Sequence, residues 1–158
     1  MLRVLDIVPG TSVDGPGLRT SIYFAGCAHA CPACHNPQSH DMNGGVPMTV
    51  DEILARVLPD EENVTFTGGD PFYQPEEELV DLARSLREAG RTIWVYTGFL
   101  YEQVSRHPLL DYSEVLVDGP YIDSERDITL LFRGSRNQRL VDLRRSTPDN
   151  VIEWLPDF

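Results

Sequence analysis

Short runs of β-branched and aromatic residues alternate with amphipathic helical segments along most of this chain. The runs predict strands at residues 20–25, 64–67, 92–96, 115–117 and 128–132. Such alternation is typical of right-handed βαβ units and a parallel sheet. The chain has 158 residues, whereas a closed eight-unit barrel needs about 200 or more. We therefore expect one α/β domain, residues 1–158, with an open, mostly parallel sheet or partial (β/α) barrel of about five parallel strands.

Two helices are predicted by their caps and by their apolar spacing. Thr49 begins a Thr-Val-Asp-Glu capping box, and apolar residues follow at helical spacing until Pro59. The second helix follows Pro75, carries glutamates in its first turn and ends at Gly90. A weaker helical pattern covers residues 100–107. These segments supply the crossovers that a parallel sheet requires.

Each predicted strand is followed by a glycine-containing polar segment. In chain order these segments are Gly26-Cys27, Gly68-Gly69-Asp70-Pro71, Thr97-Gly98, Asp118-Gly119-Pro120 and Arg133-Gly134-Ser135. Ligands of open α/β sheets bind beyond the carboxyl ends of the strands. We therefore expect a single site built from all of these segments.

The three cysteines lie in one short segment, Cys27-Ala28-His29-Ala30-Cys31-Pro32-Ala33-Cys34. The CxxxCxxC spacing lets one loop bring three thiolates to a single inorganic centre, whereas an odd, clustered set is a poor disulfide framework. Three thiolates would leave one iron of a 4Fe–4S cluster open to a small molecule. The alternative is a structural Cys₃His zinc site that uses His29 or His35. A structural zinc site would not need a glycine pair and an acidic residue at a second strand end, so these residues favour the iron–sulfur cluster. We expect His40 and His107 to be surface or packing residues.

Composition excludes several classes of function. The chain carries 25 acidic and 13 basic residues, a formal charge of −12, so a duplex or an anionic membrane would be repelled. All of the basic residues are arginines, which removes lysine Schiff-base and general-base chemistry. No apolar run reaches the roughly 18 residues of a membrane helix, and residues 1–10 lack the pattern of a signal peptide. We expect a cytoplasmic protein that binds neither nucleic acid nor membrane.

The cysteine segment and Gly68-Gly69-Asp70-Pro71 together resemble the two hallmark segments of the radical S-adenosylmethionine enzymes. Within that superfamily, Val13-Asp14-Gly15-Pro16-Gly17-Leu18-Arg19 and Cys34-His35-Asn36-Pro37 look like segments of glycyl-radical-enzyme activases. Residues 94–98, 115–119 and 133–138 are most similar to the activases of anaerobic ribonucleoside-triphosphate reductases. The resemblance extends over about residues 14–143.

Two positions depart from the pattern of the wider superfamily. Ala33 stands where an aromatic residue is often found, which leaves open how the adenine of the cosubstrate is covered. Asp70 stands where a glutamate is usual, although aspartate is common in this subfamily.

The resemblance implies a reaction and a set of ligands. Cys27, Cys31 and Cys34 would bind a 4Fe–4S cluster, and the amino and carboxylate groups of S-adenosylmethionine would chelate its open iron. An electron from the reduced cluster would then cleave the sulfonium to methionine and a 5′-deoxyadenosyl radical. That radical would abstract hydrogen from a glycine of the partner, an anaerobic ribonucleoside-triphosphate reductase, while the protein supplies orientation and water exclusion.

The same resemblance implies which residues contact S-adenosylmethionine. Glycines 68 and 69 would let the main chain approach the methionine moiety, and Asp70 would anchor that stretch. Thr97 and Asp118 would either bind the cosubstrate or cap a helix. The predicted set is Ala33, Cys34, His35, Thr67, Gly68, Gly69, Asp70, Thr97 and Asp118, with Ala33 and His35 beside the adenine.

Two further regions are expected to contact proteins. Asp14, in a Gly-Pro-Gly turn at the edge of the site, is expected to contact the incoming glycine loop of the reductase. The arginines near the C-terminus are expected to dock an acidic electron donor such as flavodoxin, or the reductase itself. These arginines are Arg133, Arg136, Arg139, Arg144 and Arg145.

Two other functions stay open at this point. A small-molecule radical S-adenosylmethionine enzyme, such as a deazapurine-forming synthase, would turn over without a partner protein. A zinc-stabilised binding module would contain zinc and would not respond to S-adenosylmethionine.

Overall fold

The computed structural model describes residues 1–27, 41 and 43–156. Its strands are β1 Leu2–Thr11, β2 Arg19–Phe24, β3 Val46–Met48, β4 Asn63–Gly68, β5 Ile93–Tyr96, β6 Val115–Asp118 and β7 Arg139–Asp142. They form one sheet of seven strands in the order β3-β1-β2-β4-β5-β6-β7. The pairs β2/β4, β4/β5 and β5/β6 are parallel, whereas β1 is antiparallel to both of its neighbours and β7 is antiparallel to β6. The described sheet is open, as predicted. Its parallel central strands and the helices between them confirm the predicted α/β class and mostly parallel sheet.

The two predicted long helices are confirmed. They are α1 Val50–Val57 and α2 Glu76–Glu88. The Thr49 hydroxyl accepts a hydrogen bond from the Glu52 amide at 3.1 Å, and the Glu52 carboxylate accepts one from the Thr49 amide at 3.2 Å, which completes the capping box.

The third helix is shorter than its pattern suggests. It is α3 Tyr101–Val104, and a 3₁₀ turn follows over Pro108–Tyr112. The helix cannot run on to the proline because the residue before a proline avoids the helical region, and His107 has an extended ψ of 128°.

The prediction of a strand at residues 128–132 is wrong. These residues form turns and bends, and Ile128 is 86% exposed. The Asp127 carboxylate accepts hydrogen bonds from the amide and hydroxyl of Thr129, so the chain reverses where a strand would begin. The last strand is β7 instead, and the antiparallel strands β1 and β3 were not predicted.

The sheet packs differently on its two faces. One face lies under α1 and α2, and its central side chains, including Ile22, Phe66 and Leu116, are fully buried against the helices. Ser21, Tyr23, Thr65, Trp94 and Tyr96 lie on the other face, as the strand register requires. We call this second face the loop-covered face, because the aromatic rings of Phe132 and Trp154 pack on Trp94 there.

The described helices include none that is long and apolar enough to cross a membrane.

Candidate functional site

The cysteine segment starts at the edge of the sheet where β2 and β4 end. The Gly69 amide donates to the Phe24 carbonyl at 2.8 Å, and the Asp70 amide donates to the Gly26 carbonyl at 2.7 Å. Cys27 follows directly and is half-buried. The structure therefore brings the first predicted cluster ligand and the glycine pair to one edge, as parallel strands require. The other predicted ligands and contacts of this segment, namely Cys31, Ala33, Cys34 and His35, lie outside the described residues.

Gly68 ends β4 in a conformation that other residues rarely adopt. Its φ is +103°, and a Cβ atom built on it would lie 2.5 Å from both the amide nitrogen and the carbonyl oxygen of Phe24. Glycine is therefore required by the close approach of β2, independently of any ligand. Thr67, beside it, is half-buried and in register with Tyr23. Contact of Thr67, Gly68 and Gly69 with S-adenosylmethionine stays a prediction.

Asp70 joins the loops that follow β4 and β5. Its side chain is fully buried, and one carboxylate oxygen accepts hydrogen bonds from the Thr97 hydroxyl at 2.7 Å and from the Gly98 amide at 3.0 Å. The other oxygen accepts from the Phe72 amide at 3.1 Å. The Thr97 hydroxyl in turn accepts from the Phe99 amide at 3.1 Å. These contacts hold both loops in place, and direct contact of Asp70 or Thr97 with the cosubstrate stays a prediction.

Asp118, at the end of β6, is fully buried and caps the start of α3. It accepts a hydrogen bond from the Tyr101 amide at 2.8 Å. It also pairs with Arg139, whose Nη2 lies 2.5 Å from its Oδ2. Hydrogen bonding to Asp118 raises the pKa of the Arg139 guanidinium, with a further contribution from Glu102. Asp118 thus binds the start of α3, and its contact with the cosubstrate stays a prediction.

The predicted fifth segment also reaches this edge, although no strand leads into it. The Asn137 amide donates to the Pro120 carbonyl at 2.7 Å, and the Gln138 amide donates to the Gly119 carbonyl at 3.1 Å. Residues 136–138, which include both of these donors, connect the predicted segment to β7, and Arg139 of β7 pairs in register with Asp118. Long-range antiparallel pairing, rather than a parallel strand, brings it to the site.

Several of the arginines near the C-terminus are ion-paired within the chain. Arg133 lies 3.3 Å from Glu153, Arg139 lies 2.5 Å from Asp118, and Arg144 pairs with Glu114. The remaining two, at positions 136 and 145, are exposed. The surface available for an acidic partner is therefore smaller than the sequence suggests.

The Asp14 loop, residues 12–18, joins β1 to β2 and so leaves the sheet at the edge opposite Cys27. It then folds back over the loop-covered face, where the Asp14 carboxylate accepts a hydrogen bond from the Ser21 hydroxyl at 2.9 Å. Burial, followed by the charge of Asp14, raises the pKa of the Tyr23 hydroxyl. Asp14 is half-buried over the sheet, and its contact with the glycine loop of the reductase stays a prediction.

The residues beneath this loop were not among the predicted site residues. Arg19 is 1% exposed, and its Nε donates to the Thr65 hydroxyl at 3.0 Å. The available signal was the alternation of Arg19, Ser21 and Tyr23, which puts three polar side chains on one face of a buried strand.

Comparison with known proteins supports the motif-based resemblance. Residues 13–141 match the family described as a 4Fe-4S single cluster domain. The anaerobic ribonucleoside-triphosphate reductase-activating protein of Escherichia coli K12 is 32% identical over 147 residues, which cover 86% of this chain and 96% of the relative. That of Enterobacteria phage T4 is 35% identical over 141 residues, 85% of this chain and 90% of the relative.

A relative with a different target is also similar. The pyruvate formate-lyase-activating enzyme of Clostridium pasteurianum is 33% identical over 147 residues, 86% of this chain but 60% of that enzyme. The reductase-activating relatives, in contrast, are matched over nearly their whole length. The chain therefore belongs to the 4Fe-4S single cluster domain family and to the anaerobic ribonucleoside-triphosphate reductase-activating proteins.

Proposed function

We propose that this protein uses a 4Fe–4S cluster and S-adenosylmethionine to generate a glycyl radical on an anaerobic ribonucleoside-triphosphate reductase. The observation that carries the proposal is the junction of the Cys27 and Gly69-Asp70 segments through the Asp70–Gly26 backbone hydrogen bond of 2.7 Å. The names of the relatives and the family match support the same activity.

The donor set suits an iron–sulfur cluster with one open iron. Cys27, Cys31 and Cys34 would supply three thiolates from one loop, and the described residues contain no other group of three metal-binding side chains. When bound, such a cluster would supply the electron for reductive cleavage of S-adenosylmethionine to methionine, and the 5′-deoxyadenosyl group released would leave as 5′-deoxyadenosine after taking the hydrogen atom of the glycine. The family match favours this cluster over the zinc alternative.

The chain's own residues prepare the place where this chemistry occurs. Asp70 fixes the two loops at the strand ends, so the main chain of Gly68 and Gly69 is presented in one conformation. Thr97 keeps that geometry by accepting from Phe99. We infer that the sheet is the wall of a partial barrel whose inner side is the loop-covered face, and that the glycine loop of the reductase enters there.

We also propose that the electron comes from a small acidic protein such as flavodoxin, and that both reaction partners are cytoplasmic. Arg136 and Arg145 are exposed in a chain of net charge −12, so they are the positive groups that such a donor would meet near the C-terminus. Reduction by the donor should therefore slow as ionic strength rises.

The decisive experiment is electron paramagnetic resonance on anaerobically reconstituted, dithionite-reduced protein with and without S-adenosylmethionine. A reduced 4Fe–4S signal that changes shape on addition would support binding of the cosubstrate at the open iron. A silent sample with stoichiometric zinc would support a structural zinc site and overturn the proposal. Formation of product from a small molecule without any reductase would favour the small-molecule alternative.

A further inference from the structure

Gln74 is inserted between β1 and the residues that lead into the cysteine segment. The Ala25 amide donates to the Arg3 carbonyl at 3.0 Å, which is one half of an antiparallel pair. The other half runs through the Gln74 side chain, whose Oε1 accepts from the Arg3 amide at 2.9 Å and whose Nε2 donates to the Ala25 carbonyl at 2.6 Å. Gln74 is 7% exposed, so these bonds satisfy its polar groups in the interior. One side chain therefore ties β1 to the main chain two residues before Cys27.

The side chain of Arg3 holds the chain where it returns from the cysteine segment. Its Nε donates to the Gly44 carbonyl at 2.9 Å, and its Nη2 donates to the Asn43 carbonyl at 2.6 Å. A planar guanidinium fork can reach two carbonyls together, whereas an ammonium is a single point of charge. Pairing of β3 with β1 begins only at Val46. The contacts of Arg3 thus fix residues that the sheet itself does not hold.

The two ends of the segment lie beside each other. A Cβ atom built on Gly44 would lie 3.6 Å from the Cβ atom of Ala25. Arg3 is bonded to both ends, through its main chain to Ala25 and through its side chain to Asn43 and Gly44. We call Arg3 and Gln74 the clasp. Between the ends that the clasp holds, the sequence contains all three cysteines of the chain.

Holding the ends together has a consequence for ligand binding by the cysteines. A chain segment loses conformational entropy when its ends are brought together and again when its side chains gather around one ligand. Hydrogen bonds that already hold the ends remove part of that loss. Those from the Arg3 guanidinium are charge-assisted, which makes them stronger than bonds between neutral groups. The clasp therefore favours the gathering of thiolates from residues 25–43.

We propose that Arg3 and Gln74 are positioning residues for the iron–sulfur cluster, which hold both ends of the cysteine segment and so slow the loss of the cluster. This inference rests on the proposed function, because it takes Cys27, Cys31 and Cys34 as the ligands. Both residues act through the main chain at the ends of the segment and not as ligands. Residues that orient metal ligands in this indirect way commonly account for roughly 10- to 100-fold in metal affinity.

The first test is Arg3→Gln in the full-length protein, reconstituted anaerobically with iron and sulfide. Glutamine is uncharged and too short to reach both carbonyls. An excess of an iron chelator such as bipyridyl is added, and the loss of iron is followed over time. We expect the half-time of iron loss to shorten by about tenfold. The electron paramagnetic resonance signal of the reduced cluster should also broaden, because the ligands occupy a wider range of positions.

The matched control is Arg91→Gln. Arg91 is half-buried like Arg3, and it also donates to two main-chain carbonyls, those of Glu62 at 2.9 Å and Leu58 at 3.1 Å. These contacts lie where β4 and β5 begin, at the edge opposite Cys27. In urea, the metal-free forms of the two variants should be destabilised to a similar extent. The half-time of iron loss in Arg91→Gln should nevertheless equal that of the wild type.

A second variant, Gln74→Met, tests the other half of the clasp. Methionine keeps the length of the side chain and removes both amide groups, so the half-time should shorten without any change of charge. Arg3→Lys keeps the charge and can reach one carbonyl at a time, so its half-time should fall between those of the wild type and Arg3→Gln. If Arg3→Gln fails to fold, Arg3→Lys takes its place in the comparison with Arg91→Gln.

A wild-type half-time in either clasp variant would overturn the positioning role. So would an equal shortening in Arg91→Gln, because the effect would then follow from general loss of stability. Failure of the proposed function is distinguishable from both results. In that case the wild-type protein itself would show no reduced 4Fe–4S signal after reconstitution.

Discussion

Asp70 and Thr97 follow different strands, yet their side chains share a buried hydrogen bond of 2.7 Å. The same carboxylate oxygen also accepts from the Gly98 amide at 3.0 Å. The two strand-end loops that are predicted to receive S-adenosylmethionine are thereby joined by the chain's own hydrogen bonds. Hydrogen bonds that fix the conformation of binding loops reduce the conformational freedom lost when a ligand binds.

Asp70→Asn should destabilise the protein and weaken S-adenosylmethionine binding together. Asparagine lacks the charge and has an NH₂ donor in place of one acceptor oxygen. Because both oxygens of Asp70 accept hydrogen bonds, we expect a loss of about 1–3 kcal/mol in unfolding free energy. Urea unfolding measures it, with Asp81→Asn as the control, since the Asp81–Arg84 pair is exposed and worth about 0–1 kcal/mol. Equal stability of the two variants would contradict the anchoring role.

Gly68→Ala tests whether the glycine is needed by the fold itself. The new methyl group would collide with the Phe24 main chain at 2.5 Å. Gly90→Ala is the control, because Gly90 also has a positive φ but no atom within 4 Å of a built Cβ. We expect about 1 kcal/mol from the strained φ at Gly90 and about 1–3 kcal/mol more at Gly68 from the overlap. Similar losses in the two variants would mean that only the backbone angle matters.

Metal content should depend on the cysteines and not on the neighbouring histidines. Cys27→Ser should lower bound iron severely and remove the reduced cluster signal, because thiolates are the ligands of such clusters. His29→Gln and His35→Gln should leave iron content near that of the wild type. Elemental analysis with electron paramagnetic resonance makes the comparison. Loss of metal from either histidine variant would instead point to a Cys₃His zinc site.

Asp14→Asn should separate cosubstrate cleavage from activation of the reductase. We expect normal cluster content and normal S-adenosylmethionine cleavage. The glycyl-radical yield should fall by about tenfold, because a charged hydrogen bond to the partner is lost. Asp111→Asn, at an exposed position on the helical side, is the control. An unchanged glycyl-radical yield would remove Asp14 from the recognition of the reductase.

Stability should fall as pH drops through the titration of His107. Burial lowers the pKa of this imidazole, and the charge of Glu76 opposes the shift. Its Nδ1 accepts from the Leu109 amide at 3.1 Å, which requires the unprotonated ring. The stabilisation is thus complete above the unfolded pKa, near 6.5, and is lost as pH falls below it. Urea unfolding at pH 7.5 and 5.5 should show a smaller difference for His107→Gln than for the wild type.

Local sequence patterns alone determined the two long helices, the parallel strands of the sheet centre and the edge where the site is predicted. Each helix start depends on residues within one helical turn: the capping box at Thr49 for α1, and a proline followed by glutamates for α2. A few consecutive residues are therefore enough to predict them. The cysteine spacing and Gly68-Gly69-Asp70 are equally local. Parallel pairing then brings them together, because it places the carboxyl ends of neighbouring strands at one edge.

Only the tertiary structure decided which groups surround that edge. Strand β7 replaces the strand expected at 128–132 because its antiparallel pairing with β6 brings Arg139 onto Asp118, a contact between residues distant in sequence. The position of Asp14 over the loop-covered face likewise depends on Arg19 and Thr65, which come from two strands. A period of two residues tells which side chains share a face, but it does not tell which loop will cover them. Which loop covers a face depends on the burial and hydrogen bonding of residues that are distant in sequence, and a local pattern does not include those contacts.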